Sequence, residues 1–486
     1  MSMTSMLFLF LFLPVALAVY YLTPGRAREV VLLAVSIAFY AFGCPEYIFL
    51  FIAAIAVTVV LGRLMNRAKT KSAKRTLLIL GILLNAGLLI YYKYTDFALT
   101  TWGTVTQTEI RLKNLALPLG ISFFTFKAIS YLADVYKGTA KLEKNPLRDA
   151  LYLSFFPQVQ SGPLSRYNDL NTRDPKQELK RDPKQEPKCD PRRDPKLFAE
   201  GVFRFLTGFC KKVLIADVLS KVTAEIFAAP PETASMSFAW LGAVCFSLRL
   251  LFDFAGYSDM AIGISNMFGW RCPENFDYPY MTESVSKFWR RWHITLGAWF
   301  RDYVYIPLGG SRTNSKSRVY FNLLVVWLLT GIWHGAAWNF AVWGLGYFAA
   351  IAFERLTNLP GRIRSKWGRA VYRILTLLFI NFQWVLFNAK DLTSGLRYIK
   401  QMLIPSPNAL ADARALFLLK DYWFFILVAV ILCFPLIPRL HQKLKSRKTA
   451  RTVFEAALAL VLLAGFAWSV SLVVAGLNNP FAYANF

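Results

Sequence analysis

His334 combines a side chain that transfers protons with surroundings that are otherwise apolar. It lies at the far end of an apolar segment that begins at Val319. Two glycines and three tryptophans surround it in the sequence, namely Gly331, Trp333, Gly335, Trp338 and Trp343. An ionisable side chain at membrane depth is costly and marks a functional site, and an imidazole pKa of about 6.5 suits proton transfer near neutral pH. The pattern predicts a general base, with a histidine that hydrogen-bonds two helices together as the alternative.

A second histidine, His293, follows the aromatic and basic run FWRRW. On a continuous helix Trp289 and His293 would share one face, whereas Arg290 and Arg291 would point elsewhere. Guanidinium groups bind phosphate in a bidentate manner, so the two arginines are candidate ligands for an anionic headgroup or for the phosphates of a thioester cofactor. The alternative is a belt of Trp and Arg where helices meet the membrane interface.

The remaining reactive groups show no catalytic pattern. His441 lies in a basic loop, and the six cysteines are scattered without a CxxC pair or the spacing of metal ligands. The sequence therefore predicts neither a disulfide framework nor a metal site. It also contains no GxSxG, Walker A or GxGxxG motif, so α/β-hydrolase chemistry and ATP-driven transport have no support.

Two apolar runs carry polar side chains. These are Gln158, Gln160 and Ser161 in the first run, and Asp253, Tyr257, Ser258 and Asp259 in the second. Each set is compatible with a polar passage and equally with a packed network whose hydrogen bonds are satisfied internally.

The composition places these residues in a membrane protein. Hydrophobic residues make up 56% of the 486 residues and charged residues 17%, whereas a soluble domain carries about 25% charged residues. The 56 Lys and Arg residues exceed the 29 Asp and Glu residues, but this excess lies between apolar blocks and indicates topology rather than nucleic-acid binding. We predict a single all-α polytopic membrane domain over residues 1–486. It should have about 11–12 transmembrane helices plus re-entrant or interfacial helices around a central tunnel.

Apolar blocks of membrane-spanning length define the predicted spans, since about 20 apolar residues cross a bilayer. The blocks lie near residues 6–22, 30–43, 47–62, 76–92, 115–136, 201–220, 237–268, 319–336, 340–355, 371–388, 421–437 and 453–475.

Basic loops set the expected orientation of the chain. The loops 63–75, 355–373 and 439–451 each carry six Lys or Arg residues, so we expect them on the cytoplasmic side, which leaves both termini outside. No basic residue precedes Leu7, so the first block is expected to be a retained span rather than a cleaved signal peptide.

Some segments do not fit a simple span. Lys211 and Lys212 interrupt the block 201–220, the stretch 150–166 is rich in Pro, Gly and Gln, and the region 270–312 is strongly charged. Such segments exist at membrane depth only when buried in protein or lining a water-filled cavity, so we expect re-entrant elements around a chamber. Residues 173–196 repeat an octad rich in proline and charge, which predicts a solvated cytoplasmic insert. A docking segment for an acidic partner or lipid headgroups is the alternative.

Taken together, these motifs resemble the membrane-bound O-acyltransferase (MBOAT) family, in particular its bacterial alginate O-acetylation (AlgI-like) branch. The resemblance rests on FFPQVQSGPLSR, FDFAGYSDMAIGISNMFG, FWRRWHITLGAWFRDYVYIPLGG and GIWHGAAWNFAVWG, which follow one another in family order. It implies a multi-helix fold in which funnels from both sides of the membrane meet at a thin wall. It also implies that His334 is catalytic and that His293 lines the same tunnel.

The resemblance further implies a function. A member of this branch takes an acetyl group from a cytoplasmic thioester donor, such as acetyl-CoA, and passes it across the inner membrane towards an exported polysaccharide of the alginate or peptidoglycan type. It implies a periplasmic acyltransferase partner, contact with membrane lipid and periplasmic termini, and no metal or nucleic acid. Arg290 and Arg291 become candidates for the donor's phosphates. D-alanyl transfer to teichoic acid and transport of a polysaccharide or lipid-linked sugar are the alternatives.

Overall fold

The computed structural model describes residues 1–25, 27–140, 142–170, 194–313, 315–404, 410 and 412–481. Within these residues the chain forms helices and no strand. Of the predicted insert, residues 173–193 lie outside the described part. The all-α prediction is thus confirmed for the part of the chain that the structure describes.

The α-helices follow one another with short connections. In chain order they are α1 (Leu13–Leu22), α2 (Arg28–Gly43), α3 (Ile48–Arg67), α4 (Lys71–Thr106), α5 (Ile121–Lys137), α6 (Pro146–Ser154), α7 (Pro195–Cys210), α8 (Val218–Ala228), α9 (Met236–Met267), α10 (Val285–Trp289), α11 (Ile294–Phe300), α12 (Lys316–His334), α13 (Trp338–Thr357), α14 (Leu359–Arg362), α15 (Lys366–Asn388), α16 (Leu392–Leu403), α17 (Ala413–Leu432), α18 (Leu436–Lys443) and α19 (Lys448–Val474). The segments Phe8–Phe12, Lys211–Asp217 and Arg301–Tyr305 are π-helical.

Six helical segments in the described residues are long and apolar enough to cross a membrane. They are Pro45–Arg67, Lys71–Thr106, Met236–Met267, Lys366–Asn388, Ala413–Leu432 and Lys448–Val474, and each contains or overlaps one predicted block. Phe8–Leu22 is a shorter apolar helix. The other predicted blocks lie in helices that do not meet the same criteria of length and composition. The protein is therefore a multi-pass membrane protein, and the count of 11–12 spans stays a prediction.

The chain divides into two compact units. Unit 1 comprises Met1–Thr207, Tyr257–Glu274 and Pro480–Phe486, and unit 2 comprises Gly208–Gly256 and Asn275–Asn479. Both predicted site histidines belong to unit 2. The prediction of one membrane domain over the whole chain remains a prediction.

A buried carboxylate ties three helices of unit 1 together. Asp149 on α6 accepts hydrogen bonds from Arg63 Nε at 2.6 Å, Tyr131 OH at 3.0 Å and Tyr167 OH at 2.8 Å. A charge that is buried must be paired and hydrogen-bonded to be tolerated, and this one has both kinds of partner. The stretch 150–166, predicted as re-entrant, follows within the same unit. It is mostly buried and contains the 3₁₀ turn Phe156–Gln158.

Lys212, which the sequence predicts to need a protein environment, forms ion pairs inside unit 2. Lys212 is 1% exposed, and its Nζ lies 2.5 Å from Asp217 Oδ1 and 2.6 Å from Asp253 Oδ1. This ion cluster explains how the segment between α7 and α8 accommodates a buried lysine, because two carboxylates offset the cost of desolvating the ammonium. The polar set around Asp253 therefore includes a packed ion network.

Candidate active site

A close helix hairpin positions His334. It is the last residue of α12, which Ser315 caps at the other end by accepting a hydrogen bond from the Arg318 backbone N–H. A Cβ placed on Gly331 would lie 2.4 Å from the Phe340 carbonyl oxygen, and one on Gly344 would lie 2.4 Å from that of Trp327. Glycines at this crossing let the backbones of α12 and α13 approach each other, as small residues do between membrane helices. The glycines of the GIWHG and VWG motifs thus bring α13 against the end of α12.

Three aromatic rings enclose the His334 side chain, which is 2% exposed. The ring centroids of Trp333, Trp343 and Phe387 lie 4.7, 4.9 and 5.1 Å from that of His334. Trp338, which the sequence groups with the other two tryptophans, is instead 59% exposed. The third ring around His334 is therefore that of Phe387 on α15, and not that of Trp338 as the sequence suggested.

His293 lies at a break between two short helices. Helix α10 ends at Trp289, and His293 is the N-cap of α11 with a left-handed backbone, φ +44°. The expectation that Trp289 and His293 share one helical face is therefore wrong, because no continuous helix joins them. Left-handed φ values are uncommon for residues other than glycine and often occur at functional sites, where the surrounding structure holds them in place.

Asn275 fixes the orientation of the His293 ring. Its Oδ1 lies 3.1 Å from His293 Nδ1, 3.3 Å from the Thr295 backbone nitrogen and 2.8 Å from Thr295 Oγ1. His293 is 1% exposed and lies outside the six candidate spans. Burial without a compensating charge lowers its pKa to about 3, so the imidazole is neutral at physiological pH.

One tryptophan connects the two histidines. The Trp333 ring centroid lies 4.7 Å from that of His334 and 6.4 Å from that of His293. Phe254 packs against the other histidine, with its ring centroid 4.6 Å from that of His293 and the two planes nearly perpendicular. The structure therefore gathers both predicted histidines around one aromatic wall within unit 2.

The two predicted arginines line cavities whose lining includes neither His293 nor His334. Arg290 and Arg291 line a cavity of about 180 Å³ together with Glu283 and Lys287. The Lys287 ammonium bonds to Glu283 and holds the pKa of that carboxyl below its usual range, so these two charges offset each other. Arg290 also lines a second cavity of about 410 Å³.

An aromatic series leads from the second cavity to His334. That cavity is lined by Ser286, Arg290, Leu323, Trp327, Ile351 and Arg355. The Trp327 ring centroid lies 6.5 Å from that of Trp343, and the Trp343 ring centroid in turn lies 4.9 Å from that of His334. A cavity that carries two guanidinium groups thus adjoins rings that reach the candidate base.

Comparison with known proteins identifies the family of the chain. The model of MBOAT, the membrane-bound O-acyltransferase family, matches residues 144–399, which is more than half of the chain and includes His293 and His334. The chain belongs to the membrane-bound O-acyltransferase family.

Individual relatives indicate which members of the family the chain resembles. The chain is 37% identical over 418 residues to the "Probable alginate O-acetylase AlgI" of Azotobacter vinelandii, covering 85% of this chain and 80% of that protein. It is 35% identical over 429 residues to the "Peptidoglycan O-acetyltransferase" of Helicobacter pylori, covering 82% and 79%. The "Teichoic acid D-alanyltransferase" of Bacillus subtilis is 32% identical over 296 residues, covering 57% and 70%. The chain is thus an acyltransferase with similarity to proteins of the alginate O-acetylation branch.

Three residues of the candidate site were not identified from the sequence. Phe387 and Arg355 lie in ordinary apolar or basic stretches, and no local pattern distinguishes them. Asn275 precedes the aromatic run FDYPY, but its contact with His293 depends on the loop between α9 and α10. The one signal that could have identified Asn275 from the sequence is that a polar residue stands next to an aromatic motif.

Two other polar residues of the membrane-length runs form polar contacts within unit 1. Asp259 Oδ1 lies 2.7 Å from Arg204 Nε, and Gln158 Nε2 donates to Ser165 Oγ at 2.9 Å. Among the residues described, no group of three or more His, Cys, Asp or Glu side chains is arranged to hold a metal ion. The candidate active site consists of the two histidines and their aromatic surroundings.

Proposed function

We propose that this acyltransferase takes an acetyl group from cytoplasmic acetyl-CoA and transfers it across the bacterial inner membrane for O-acetylation of an exported polysaccharide. The observation that carries the proposal is the buried His334, enclosed by Trp333, Trp343 and Phe387 in a member of an acyltransferase family. The relatives' names support acetyl as the acyl group and a polymer of the alginate or peptidoglycan type as its destination.

His334 acts as the general base in this proposal. It takes the proton of an incoming hydroxyl, whose oxygen attacks the thioester carbonyl carbon and forms the new ester bond. The carbon–sulfur bond then breaks, and the proton passes from His334 to the leaving thiolate. General base catalysis of this kind contributes roughly 10²–10⁴-fold in rate. The three rings keep water from the thioester, so hydrolysis is suppressed.

The donor's phosphates bind at the two arginine-lined cavities. Arg290 borders both cavities and Arg355 borders the larger one, while Trp327 lies between that cavity and Trp343. A guanidinium pair matches pyrophosphate geometry, and the apolar pantetheine arm suits an aromatic path. Arg291 contributes from the smaller cavity, where its Nη1 also donates to the Met281 carbonyl oxygen at 3.2 Å.

Kinetics with purified protein test the donor site. Arg290→Ala and Arg355→Ala should each raise the KM for acetyl-CoA about 10–150-fold with a smaller change in kcat, because a charge-assisted hydrogen bond contributes roughly 1.5–3 kcal/mol. Arg397→Ala is the matched control, since that arginine forms an exposed ion pair with Glu232. An unchanged KM in both cavity variants would exclude this donor site.

Acceptor and donor approach from opposite sides in this proposal. The basic loops 355–373 and 439–451 are separated by the two candidate spans Lys366–Asn388 and Ala413–Leu432, which supports placing both in the cytoplasm. Both termini then lie in the periplasm, on the side from which the polymer hydroxyl and a periplasmic acyltransferase partner approach. The longer coverage by the two acetyltransferase relatives, 85% and 82% of the chain against 57%, favours acetyl over D-alanyl transfer.

The decisive experiment follows radiolabelled acetyl groups. Membranes that contain the wild-type protein should transfer label from acetyl-CoA to polymer hydroxyls, and His293→Ala should reduce transfer strongly without abolishing it. A transporter of polysaccharide would move the polymer without consuming the thioester. Polymer export without loss of labelled acetyl-CoA would therefore refute the proposal.

A further inference from the structure

The hydrogen bonds around Asn275 determine which nitrogen of His293 carries the proton. The Thr295 backbone N–H can only donate, and it points at Asn275 Oδ1 over 3.3 Å. The side-chain amide of Asn275 must therefore present its oxygen, not its nitrogen, to this cluster. Because an oxygen only accepts, His293 Nδ1 at 3.1 Å from the same atom must be the protonated nitrogen.

The opposite nitrogen is consequently a hydrogen-bond acceptor. His293 Nε2 carries the lone pair of the neutral ring, and it is buried with no hydrogen-bond partner among the described residues. A buried polar atom without a partner costs roughly 1–3 kcal/mol, so native structures keep one only where water or a ligand satisfies it. The Phe254 ring, which packs nearly perpendicular to the His293 ring, carries no hydrogen-bond donor.

We propose that Asn275 is a positioning residue that holds His293 in the Nδ1–H tautomer, so that Nε2 accepts a hydrogen bond from a hydroxyl of the acceptor sugar. This inference rests on the proposed function. An ionised phosphate or carboxylate carries no hydrogen to donate, whereas a sugar hydroxyl, the acceptor in the proposed reaction, is a donor from which this nitrogen can accept. Sugars carry neighbouring hydroxyl groups, and one can bond to His293 while another loses its proton to His334.

Nitrogen-15 NMR of histidine-labelled protein in detergent tests the tautomer directly. The chain has three histidines, and His441→Asn removes an exposed one, which leaves His293 and His334 to assign. We expect His293 to show a protonated Nδ1 and an unprotonated Nε2 in the wild type. The Nε2–H tautomer in the wild type would overturn the proposal without any need for turnover.

Variants distinguish a positioning role of Asn275 from a general loss of the folded structure. Asn275→Ala should abolish the single tautomer and lower kcat/KM for a soluble alginate oligosaccharide about 10–100-fold, with the KM for acetyl-CoA unchanged. Asn275→Asp keeps an accepting oxygen and should retain the tautomer and recover part of the activity. Thr295→Val removes only the hydroxyl donor at 2.8 Å and is the matched control, which should keep the wild-type tautomer.

Titration identifies what bonds to Nε2. Adding the oligosaccharide should shift the Nε2 resonance of His293, whereas acetyl-CoA alone should leave it in place. A shift caused by acetyl-CoA alone would assign Nε2 to the donor's amide groups and overturn the hydroxyl assignment, as would a resonance that neither probe moves. Absence of acetyl transfer by the wild type, with the expected tautomer present, would count against the proposed function and leave the role of Asn275 intact.

Discussion

Glu354 offers a sharp test of how the arginine-lined cavities are built. Its carboxylate lies on α13, is 6% exposed, and accepts hydrogen bonds from the backbone nitrogens of Val285 at 2.7 Å and Ser286 at 2.9 Å. It also accepts from Tyr372 OH at 2.8 Å. These backbone groups open α10, the helix immediately before Arg290. One side chain therefore holds the start of that helix against α13.

Glu354→Gln exchanges one accepting oxygen for an amide that only donates. The glutamine oxygen can still accept from one backbone N–H, but the amide then faces the other, so one buried donor loses its partner. Such a loss costs about 1–3 kcal/mol of folding free energy. Because α10 precedes Arg290, we also expect the KM for acetyl-CoA to rise several-fold while the protein still reaches the membrane.

Melting temperature in detergent and acetyl-CoA kinetics measure the two effects. Tyr372→Phe removes only the hydroxyl donor and should cost at most about 1 kcal/mol, since both backbone bonds remain. Glu283→Gln changes an exposed carboxylate in the same stretch and should leave the melting temperature unchanged. A Glu354→Gln protein with wild-type melting temperature and wild-type KM would refute the view that this carboxylate positions α10.

Three further predictions concern the base, the insert and the topology. His334→Ala should lower acetyl transfer about 10²–10⁴-fold at near-normal protein levels. His441→Ala, at an exposed position, should leave acetyl transfer unchanged. Full transfer by His334→Ala would show that His334 is not the base. Deleting residues 173–196 should cost little activity, because a proline in each octad prevents a packed core, and a well-expressed deletion without activity would instead show a docking role. In a cysteine-free background, a cysteine at Ser446 should react with an impermeant reagent only after permeabilisation and one at Asn485 in intact spheroplasts; labelling of both from the same side would contradict the cross-membrane route.

Much of the fold was predictable because its signals are local. Hydropathy over a window of membrane length found the six helical segments that meet the criteria for a span, since each helix must satisfy its own backbone hydrogen bonds in lipid. The expectation that Lys212 needs a protein environment was likewise correct, because the cost of burying an ammonium does not depend on the details of packing.

The candidate site was predictable only in part. The sequence by itself determined the class of the protein and its family, and it predicted the histidine in GIWHG as a site residue, because composition, hydropathy and motif are properties of neighbouring residues. Tertiary structure decided that Phe387 rather than Trp338 packs on His334, and that the helix before His293 ends at Trp289. It also decided the partner of His293, since Asn275 reaches it from a separate loop. These contacts join segments far apart in the chain, and their choice depends on how glycine-lined helices pack together, which no local pattern of residues encodes.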